Sequence, residues 1–281
     1  HGVHGTVDLP TALQVSCDIW FYTMGKRLGV DTLAEAARAF GFGRPTGIDL
    51  SSEKPGNVPS SAWSRAVRKH PWYPGETISV AIGQGPLLVS SLQTARGFAA
   101  LANPDGALPV PHLFRIGEHV RSGARVAYRP PVTERVSYPP GVRESIVEGL
   151  WRVVNAPGGT AHRYRVEGLD ICGKTGSVQV VGQKEAKKTH LLPEKLRDHA
   201  WFAAFAPRDD AKIVVVVFVE NGLHGSSAAA PLATRLIEAY LRPGSVPVPT
   251  PPAAPLPEAP PPGGAATAER DPGSPAPRRG T

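Results

Sequence analysis

The segment Cys172-Gly173-Lys174-Thr175-Gly176-Ser177-Val178-Gln179-Val180 predicts a strand with functional side chains. In it, a Lys-Thr-Gly-Ser sequence enters an apolar, β-branched run. At a sheet edge, the Lys174 ammonium would support an anionic ligand and the Thr175 hydroxyl would donate a hydrogen bond to it. Gly176 would let a ligand approach the backbone. The N–H of Ser177 would suit an oxyanion hole, and its hydroxyl would face a carboxylate. A match this short is weak evidence for function by itself, because a strand whose lysine is only solvated at a sheet edge can have the same sequence.

Two further apolar runs follow this segment and predict a small antiparallel sheet. The strands are expected over 171–181, 200–205 and 212–220. Pro207-Arg208-Asp209-Asp210 joins the second strand tightly to the third, so a meander covered by a final helix over 229–241 is the economical topology. The fold class predicted is therefore α+β, an antiparallel sheet flanked by helices.

Helical periodicity recurs upstream of this sheet. Asp8 is placed to cap a helix over 8–28, and a break is expected around Ser16 to Asp18. Thr32-Leu33-Ala34-Glu35 has the spelling of a capping box and predicts a helix that starts at Thr32. Residues 48–80 are predicted to be irregular, with two tryptophan segments that suit either a groove wall or folding, and further helices are predicted over 91–103 and 141–155.

The predicted helix break places two polar side chains where they would face the strand. Ser16 would relay a proton between a nucleophile and a leaving group, and Asp18 would orient the site or pair with Lys174 from a buried position. Ser-x-Asp is common, and the plain alternative is a helix-interior serine beside a cap. Serine transpeptidases and β-lactamases share Ser-x-x-Lys, Ser-Asp-Asn and Lys-Thr-Gly motifs. This chain has counterparts of the second and the third in that order, Ser16-Cys17-Asp18, with Asp in place of Asn, and Lys174-Thr175-Gly176.

The Ser-x-x-Lys spelling occurs at Ser51-Ser52-Glu53-Lys54, but it follows Ser16 and lies in a predicted loop. A nucleophilic serine needs a base held against it, and a solvated loop lysine stays protonated. We therefore interpret this match as a decoy. Because no such motif precedes Ser16 and the chain starts at His1, the nucleophilic serine and its lysine are expected to be absent from the chain, as in a carboxy-terminal part of a longer protein.

Composition bounds the remaining possibilities. The 281 residues carry a formal charge of 31 − 24 = +7, without the basic and aromatic clusters that would indicate nucleic-acid binding. Residues 1–242 are predicted to form one domain, and 243–281, with 13 prolines in 39 residues, a disordered tail. The longest apolar run, 213–219, is far shorter than the roughly 20 residues of a membrane helix. His4 and Cys17 are both possible zinc ligands, although a free cysteine is usually a small buried hydrophobe.

Eight segments occur in a fixed order along the chain. They are His4-Gly5, Ser16-Cys17-Asp18, Thr46-Gly47-Ile48-Asp49-Leu50, Ala81-Ile82-Gly83-Gln84-Gly85, Gly159-Thr160-Ala161, Gly173-Lys174-Thr175-Gly176-Ser177, His199-Ala200-Trp201-Phe202 and Glu220-Asn221-Gly222. Together they resemble the penicillin-binding protein 2 family of elongation-type, class B peptidoglycan D,D-transpeptidases, over about residues 2–242. The resemblance implies an envelope enzyme on the periplasmic face of the bacterial inner membrane, anchored by an upstream helix and important for cell shape.

The resemblance also implies the chemistry and the partners. The substrate would be the D-Ala-D-Ala end of the stem pentapeptide, held by Lys174, Thr175 and Ser177, and the acyl-enzyme would pass to a neighbouring stem. β-Lactams would trap the same serine. The partner would be a rod-complex glycosyltransferase of the shape, elongation, division and sporulation family. No cofactor is needed, although His4 and Cys17 match two ligands of a structural zinc whose acidic ligands would precede His1.

Three alternatives stay open at this point. On the same fold the chain could be a serine β-lactamase or a D,D-carboxypeptidase, although no loop for a deacylating water can be recognised. It could also be a non-catalytic β-lactam sensor or scaffold. The five-stranded sheet implied by the resemblance would leave the 212–220 strand without a neighbour, so the chain alone is expected to be poorly soluble and inactive.

Overall fold

The structure is a computed structural model that describes residues 4–127, 134–181 and 189–245. All of these belong to the compact unit of residues 1–246. The predicted disordered tail lies outside the described residues from position 246 onward. In the described part of the chain, no helix has the length and apolar character needed to cross a bilayer.

The central sheet has three antiparallel strands, which lie side by side in their order along the chain. They are β5, Cys172–Val178, β6, His199–Ala206, and β7, Ile213–Val219. Lys174 pairs with Ala203, and Phe202 pairs with Val217. The predicted antiparallel meander is confirmed, and the described residues contribute three of the five strands that the resemblance implied.

Helices cover both faces of this sheet because β6 is apolar on both sides. Phe202 is fully buried in a cluster with Ile237 of α7, Ala230–Leu241, which packs on β6 and β7. Phe205, on the opposite face, is fully buried with Leu150. Near-continuous apolar strands are typical of such doubly covered sheets. The helices on that second face are α5, Ser91–Ala102, and α6, Val142–Asn155.

The predicted break in the first helical region is confirmed. Helix α1, Leu9–Gln14, ends before Ser16, and α2, Asp18–Ala39, begins after it. Ser16 has φ of 50°, a left-handed conformation that is uncommon for a residue other than glycine. Asp8 caps α1 as expected, with its carboxylate accepting a hydrogen bond from Thr11 N at 2.9 Å.

The predicted helix start at Thr32 is wrong. The helical path is interrupted at Gly29, which has φ of 77° and ψ of 164°, and resumes before Thr32. Glycine adopts positive φ without steric cost, so this residue sets the kink rather than the capping-box spelling. A true capping box forms instead at Ser90 and Gln93, at the start of α5.

Residues 48–80, predicted to be irregular, contain two short helices and one π-helical turn. These are α3, Ser61–Trp63, the turn Ser64–Arg68, and α4, Glu76–Ala81. The Arg68 guanidinium lies 5.2 Å from the Trp63 ring centroid and 5.0 Å from that of Trp72, and it pairs with Glu76. These tryptophans therefore stabilise the segment itself. Small antiparallel pairs complete the fold: β1, Ala107–Leu108, with β4, Glu134–Arg135, and β2, Ile116–Glu118, with β3, Arg125–Ala127.

Candidate active site

The structure brings together a serine and a lysine that are 158 positions apart in the sequence. Lys174 Nζ, from β5, donates a hydrogen bond to Ser16 Oγ at 2.5 Å and a second to the Thr175 carbonyl at 2.9 Å. Ser16 reaches this position because its left-handed backbone turns the chain between α1 and α2. Strained backbone of this kind is found preferentially at functional sites.

Burial changes the protonation of this lysine. Loss of solvent around the ammonium lowers the pKa of Lys174 to about 8, and the negative charge of Asp18 opposes this decrease. At neutral pH roughly a tenth of such lysines would be neutral, against fewer than about one in a thousand in water. Burial therefore makes the neutral form of Lys174 more accessible near physiological pH than it is for a lysine in water.

Asp18 does not lie where the sequence predicted. Its side chain is exposed in the first turn of α2, not buried as an ion-pair partner of Lys174. The expected burial is wrong because the chain turns at Ser16, so that α2 starts with its first residues facing solvent. Asp18 acts on Lys174 through charge at longer range, and it also suits the positive end of the helix dipole.

The hydroxyl of Thr175 is positioned by a residue to which the sequence assigned no role. Thr160 Oγ1 and Thr175 Oγ1 are 2.8 Å apart, and Thr160 N donates to the carbonyl of Gln14 at 3.3 Å. The Gln14 side chain in turn donates to the carbonyl of Pro157 at 2.8 Å. This loop therefore ties the end of α1 to β5. The only signal in the sequence was the Gly159-Thr160-Ala161 segment of the resemblance.

Close backbone packing supports the Gly176–Ser177 end of the strand. Gly225 N donates to Ser177 Oγ at 3.4 Å, and Ser177 is exposed. A Cβ atom added to Gly225 would lie 2.4 Å from the Gly176 carbonyl oxygen and 2.2 Å from that of Trp201. Only glycine fits there, so the loop before α7 can support β5 from one face while the open edge of the strand stays accessible.

The second Ser/Lys pair has none of these contacts. Ser51 and Lys54 are both exposed, Ser51 in a turn and Lys54 in the loop that follows it. The neighbouring Glu53 accepts hydrogen bonds from Thr46 N at 2.8 Å and Gly47 N at 3.2 Å, which shapes the loop. The geometry thus agrees with the interpretation of Ser51-x-x-Lys54 as a decoy.

The two possible zinc ligands differ in solvent exposure. His4 is exposed, whereas Cys17 is buried directly after the turn at Ser16. Among the residues described, no three His, Cys, Asp or Glu side chains are grouped so that they could hold a metal ion. Two donors do not complete a tetrahedral site.

Serine transpeptidases and serine β-lactamases combine a Lys-Thr-Gly motif with a Ser-Asp-Asn motif, and in this chain a Lys-Thr-Gly strand contacts Ser16 of the similar Ser16-Cys17-Asp18. The fold and the site therefore place this chain in the class of serine acyl-transfer proteins. Sequence comparison narrows the class, because the family profile described as penicillin binding protein transpeptidase domain matches residues 1–238. The chain belongs to this family.

Individual relatives agree with the assignment. The chain is 38% identical over 243 residues to the peptidoglycan D,D-transpeptidase MrdA of Haemophilus influenzae, which covers 85% of this chain and 37% of that protein. The fold of this chain is similar to that of penicillin-binding protein 2 in the complex with MreC from Helicobacter pylori, with a TM-score of 0.70 and 28% identity. The match covers 85% of this chain and 41% of the H. pylori chain. The fold is also similar to that of Pseudomonas aeruginosa penicillin-binding protein 2 in complex with WCK 5153, with a TM-score of 0.67 and 33% identity. That match covers 84% of this chain and 48% of the P. aeruginosa chain. The chain thus spans under two fifths of the length of the H. influenzae relative.

Proposed function

We propose that this chain supplies the proton-relay and carboxylate-binding part of a peptidoglycan D,D-transpeptidase that cross-links stem peptides during cell elongation. The observation that carries the proposal is the 2.5 Å contact between Lys174 Nζ and Ser16 Oγ beside the Thr175–Ser177 strand edge. The MrdA relative supports the same assignment by name and by sequence identity.

In this proposal β5 binds the acyl donor. Lys174, Thr175 and Ser177 hold the terminal carboxylate of the D-Ala-D-Ala end, because an ammonium and two hydroxyls can all donate to it. The N–H of Ser177 stabilises the oxyanion that forms when the penultimate D-alanyl carbonyl is attacked. Gly176, without a side chain, allows the peptide to approach the strand.

Two acyl transfers follow. The nucleophilic serine oxygen bonds to the penultimate carbonyl carbon, the C–N bond to the terminal D-alanine breaks, and Ser16 passes the serine's proton to the leaving amine. An amine of a neighbouring stem then attacks the ester, the C–O bond breaks, and a proton returns to the serine. We assign the nucleophilic serine and its base to no residue of this sequence. Ser51 and Lys54 have the spacing of the motif, but both side chains are exposed.

The setting is part of the same proposal. A penicillin-binding protein 2 of H. pylori was solved in complex with MreC, and a further structural relative belongs to a peptidoglycan synthase complex. We propose a rod-complex glycosyltransferase of the shape, elongation, division and sporulation family as partner, β-lactams as inhibitors, and attachment to the periplasmic face of the inner membrane. A structural zinc with His4 and Cys17 among its ligands stays a prediction, because two donors alone cannot test a four-ligand site.

Covalent labelling by a fluorescent penicillin tests the function. We would compare this chain with the product of the complete gene that encodes it, each as the native sequence and as Lys174→Met. The complete product is expected to label stoichiometrically and to lose labelling about 10³-fold in the variant. Labelling of this chain at Ser51, or equal labelling of the Lys174→Met variant, would refute the assignment. Reversible binding without covalent labelling in the complete product would favour a β-lactam sensor, and rapid release of the acyl group as penicilloate a β-lactamase.

A further inference from the structure

A glutamine side chain occupies the open edge of β5 immediately after the proposed binding residues. Gln84 Nε2 donates to the Ser177 carbonyl at 2.8 Å, and Gln84 Oε1 accepts from Gln179 N at 3.3 Å. These two backbone groups are two residues apart, one on Ser177 of β5 and one on Gln179 just after the end of the strand. The carboxamide of Gln84 therefore satisfies one backbone acceptor and one backbone donor at this end of β5.

The position of this contact is specific. Among the described strands, β5 pairs only with β6, so its other edge is free to accept a peptide. In an antiparallel strand the N–H and C=O of one residue point to the same side. Because the Ser177 carbonyl points to Gln84, the Ser177 N–H, which serves the oxyanion in the proposed function, points to the same edge. Gln84 thus leaves the oxyanion donor open and engages the acceptor next to it.

An acyl donor bound as an added strand would need that same acceptor. With its scissile carbonyl at the Ser177 N–H, the amide N–H of the same donor residue faces the Ser177 C=O, since paired residues exchange both hydrogen bonds. The Gln84 Nε2 and the donor N–H are both neutral amide donors. They therefore compete for one carbonyl at similar strength.

The local structure lets the side chain move without disturbing the fold. Gln84 lies between Gly83, with φ of 77°, and Gly85, with φ of 72°, in the loop after α4. Its backbone N–H is held by the Ser79 carbonyl at 2.9 Å, whereas its side chain is partly exposed. Rotation of the side chain alone would free the Ser177 carbonyl.

We propose that Gln84 is a specificity-determining residue that occupies the backbone pairing position of the acyl donor on β5 and is displaced when a donor with an amide N–H binds. This inference rests on the proposed function. Its consequence is that removing the Gln84 donor favours ligands that use the Ser177 carbonyl, and leaves ligands that cannot use it unchanged.

The test compares two acyl donors on the product of the complete gene. One is an N-acyl-D-alanyl-D-alanine peptide, and the other has D-lactyl in place of the penultimate D-alanyl, so that an ester oxygen replaces the amide N–H. The acylation rate constant is measured for the native protein, for Gln84→Ala, and for Gln84→Glu, which keeps an acceptor for Gln179 N–H but cannot donate to Ser177 C=O.

The amide-to-ester ratio of rate constants is expected to rise about 2- to 10-fold in both variants, the size expected for one neutral hydrogen bond. The ratio also cancels any general effect of the new Glu charge or of a misfolded fraction. An unchanged or lower ratio in both variants would overturn the inference while acylation of the native protein still upholds the function. If the native protein is acylated by neither donor, nor by penicillin, the proposed function fails and the inference fails with it.

Discussion

Two serine–lysine pairs in this chain differ in almost every physical respect. Ser51 and Lys54 are three residues apart and have the spelling of a catalytic motif, yet both side chains are exposed. Ser16 and Lys174 are 158 residues apart and share no motif, yet their side chains are in contact at 2.5 Å. Spacing along the chain is therefore a poor guide to which serine meets which lysine.

The two lysines differ in how much water surrounds their ammonium groups. An ammonium in water keeps its ordinary pKa, so it cannot take a proton from a serine at neutral pH. The packing of β5 against the turn between α1 and α2 removes water from Lys174, and the pKa of this lysine falls to about 8. Tertiary packing, not sequence spacing, brings the second pair into contact and lowers the pKa of its lysine.

The largest expected effect comes from replacing each lysine by methionine. Lys174→Met removes the charge and the partner of Ser16, so penicillin acylation of the complete gene product should fall about 10³-fold. Lys54→Met, the matched control in the exposed pair, should leave the rate within twofold. Equal losses in the two variants would show that the comparison between the pairs is wrong.

Replacing each serine by alanine should give a smaller effect. Ser16→Ala removes the proposed relay and should slow acylation about 10²-fold, a magnitude typical of general acid–base groups. Ser51→Ala should be neutral. The measurement is the pH profile of the acylation rate constant together with the thermal midpoint, because a purely structural role of Ser16 would lower the midpoint without changing the profile.

The lowered pKa of Lys174 predicts how stability depends on pH. Between about pH 8 and the ordinary lysine pKa of 10.5 the unfolded chain binds a proton that the folded chain has released. This lysine therefore makes the unfolding free energy rise with pH in that window, by at most about 1.4 kcal/mol per unit. Denaturant titrations of the native protein and of Lys174→Met, at several pH values, measure the contribution. The Lys54→Met protein should keep the native slope, and a native slope equal to that of Lys174→Met would contradict the burial argument.

The smallest effect is expected for Asp18→Asn. Because Asp18 is exposed, its attraction for the Lys174 ammonium is screened by water and salt. Its removal should lower the pKa of Lys174 slightly, shift the pH profile of acylation to lower pH, and change the rate at neutral pH less than about threefold. The shift should shrink at high ionic strength, whereas a salt-independent loss of 100-fold or more would indicate a direct role for Asp18.

Much of the fold followed from local patterns. The apolar runs predicted all three strands of the central sheet, five of the six ends to within one residue and the sixth to within three, and Pro207 to Asp210 predicted the connection between the second and third strands. The turn at Ser16 was also predicted. The helix start at Thr32 was wrong because the same capping-box spelling occurs inside helices, and the backbone freedom of Gly29 decided where the kink falls.

The sequence by itself determined the residue types and their order: an apolar sheet, a Lys-Thr-Gly-Ser strand and a Ser-x-Asp turn, which sufficed for the class of protein. Only the tertiary structure decided that Asp18 is exposed, that Thr160 contacts Thr175, that Gln84 occupies the open edge of β5, and that Lys174 is partly buried against Ser16. The reason is that local patterns report backbone propensity and amphipathic periodicity. Contacts between residues 15 to 158 positions apart depend on how the elements pack, and desolvation, which sets the pKa, exists only after they have packed.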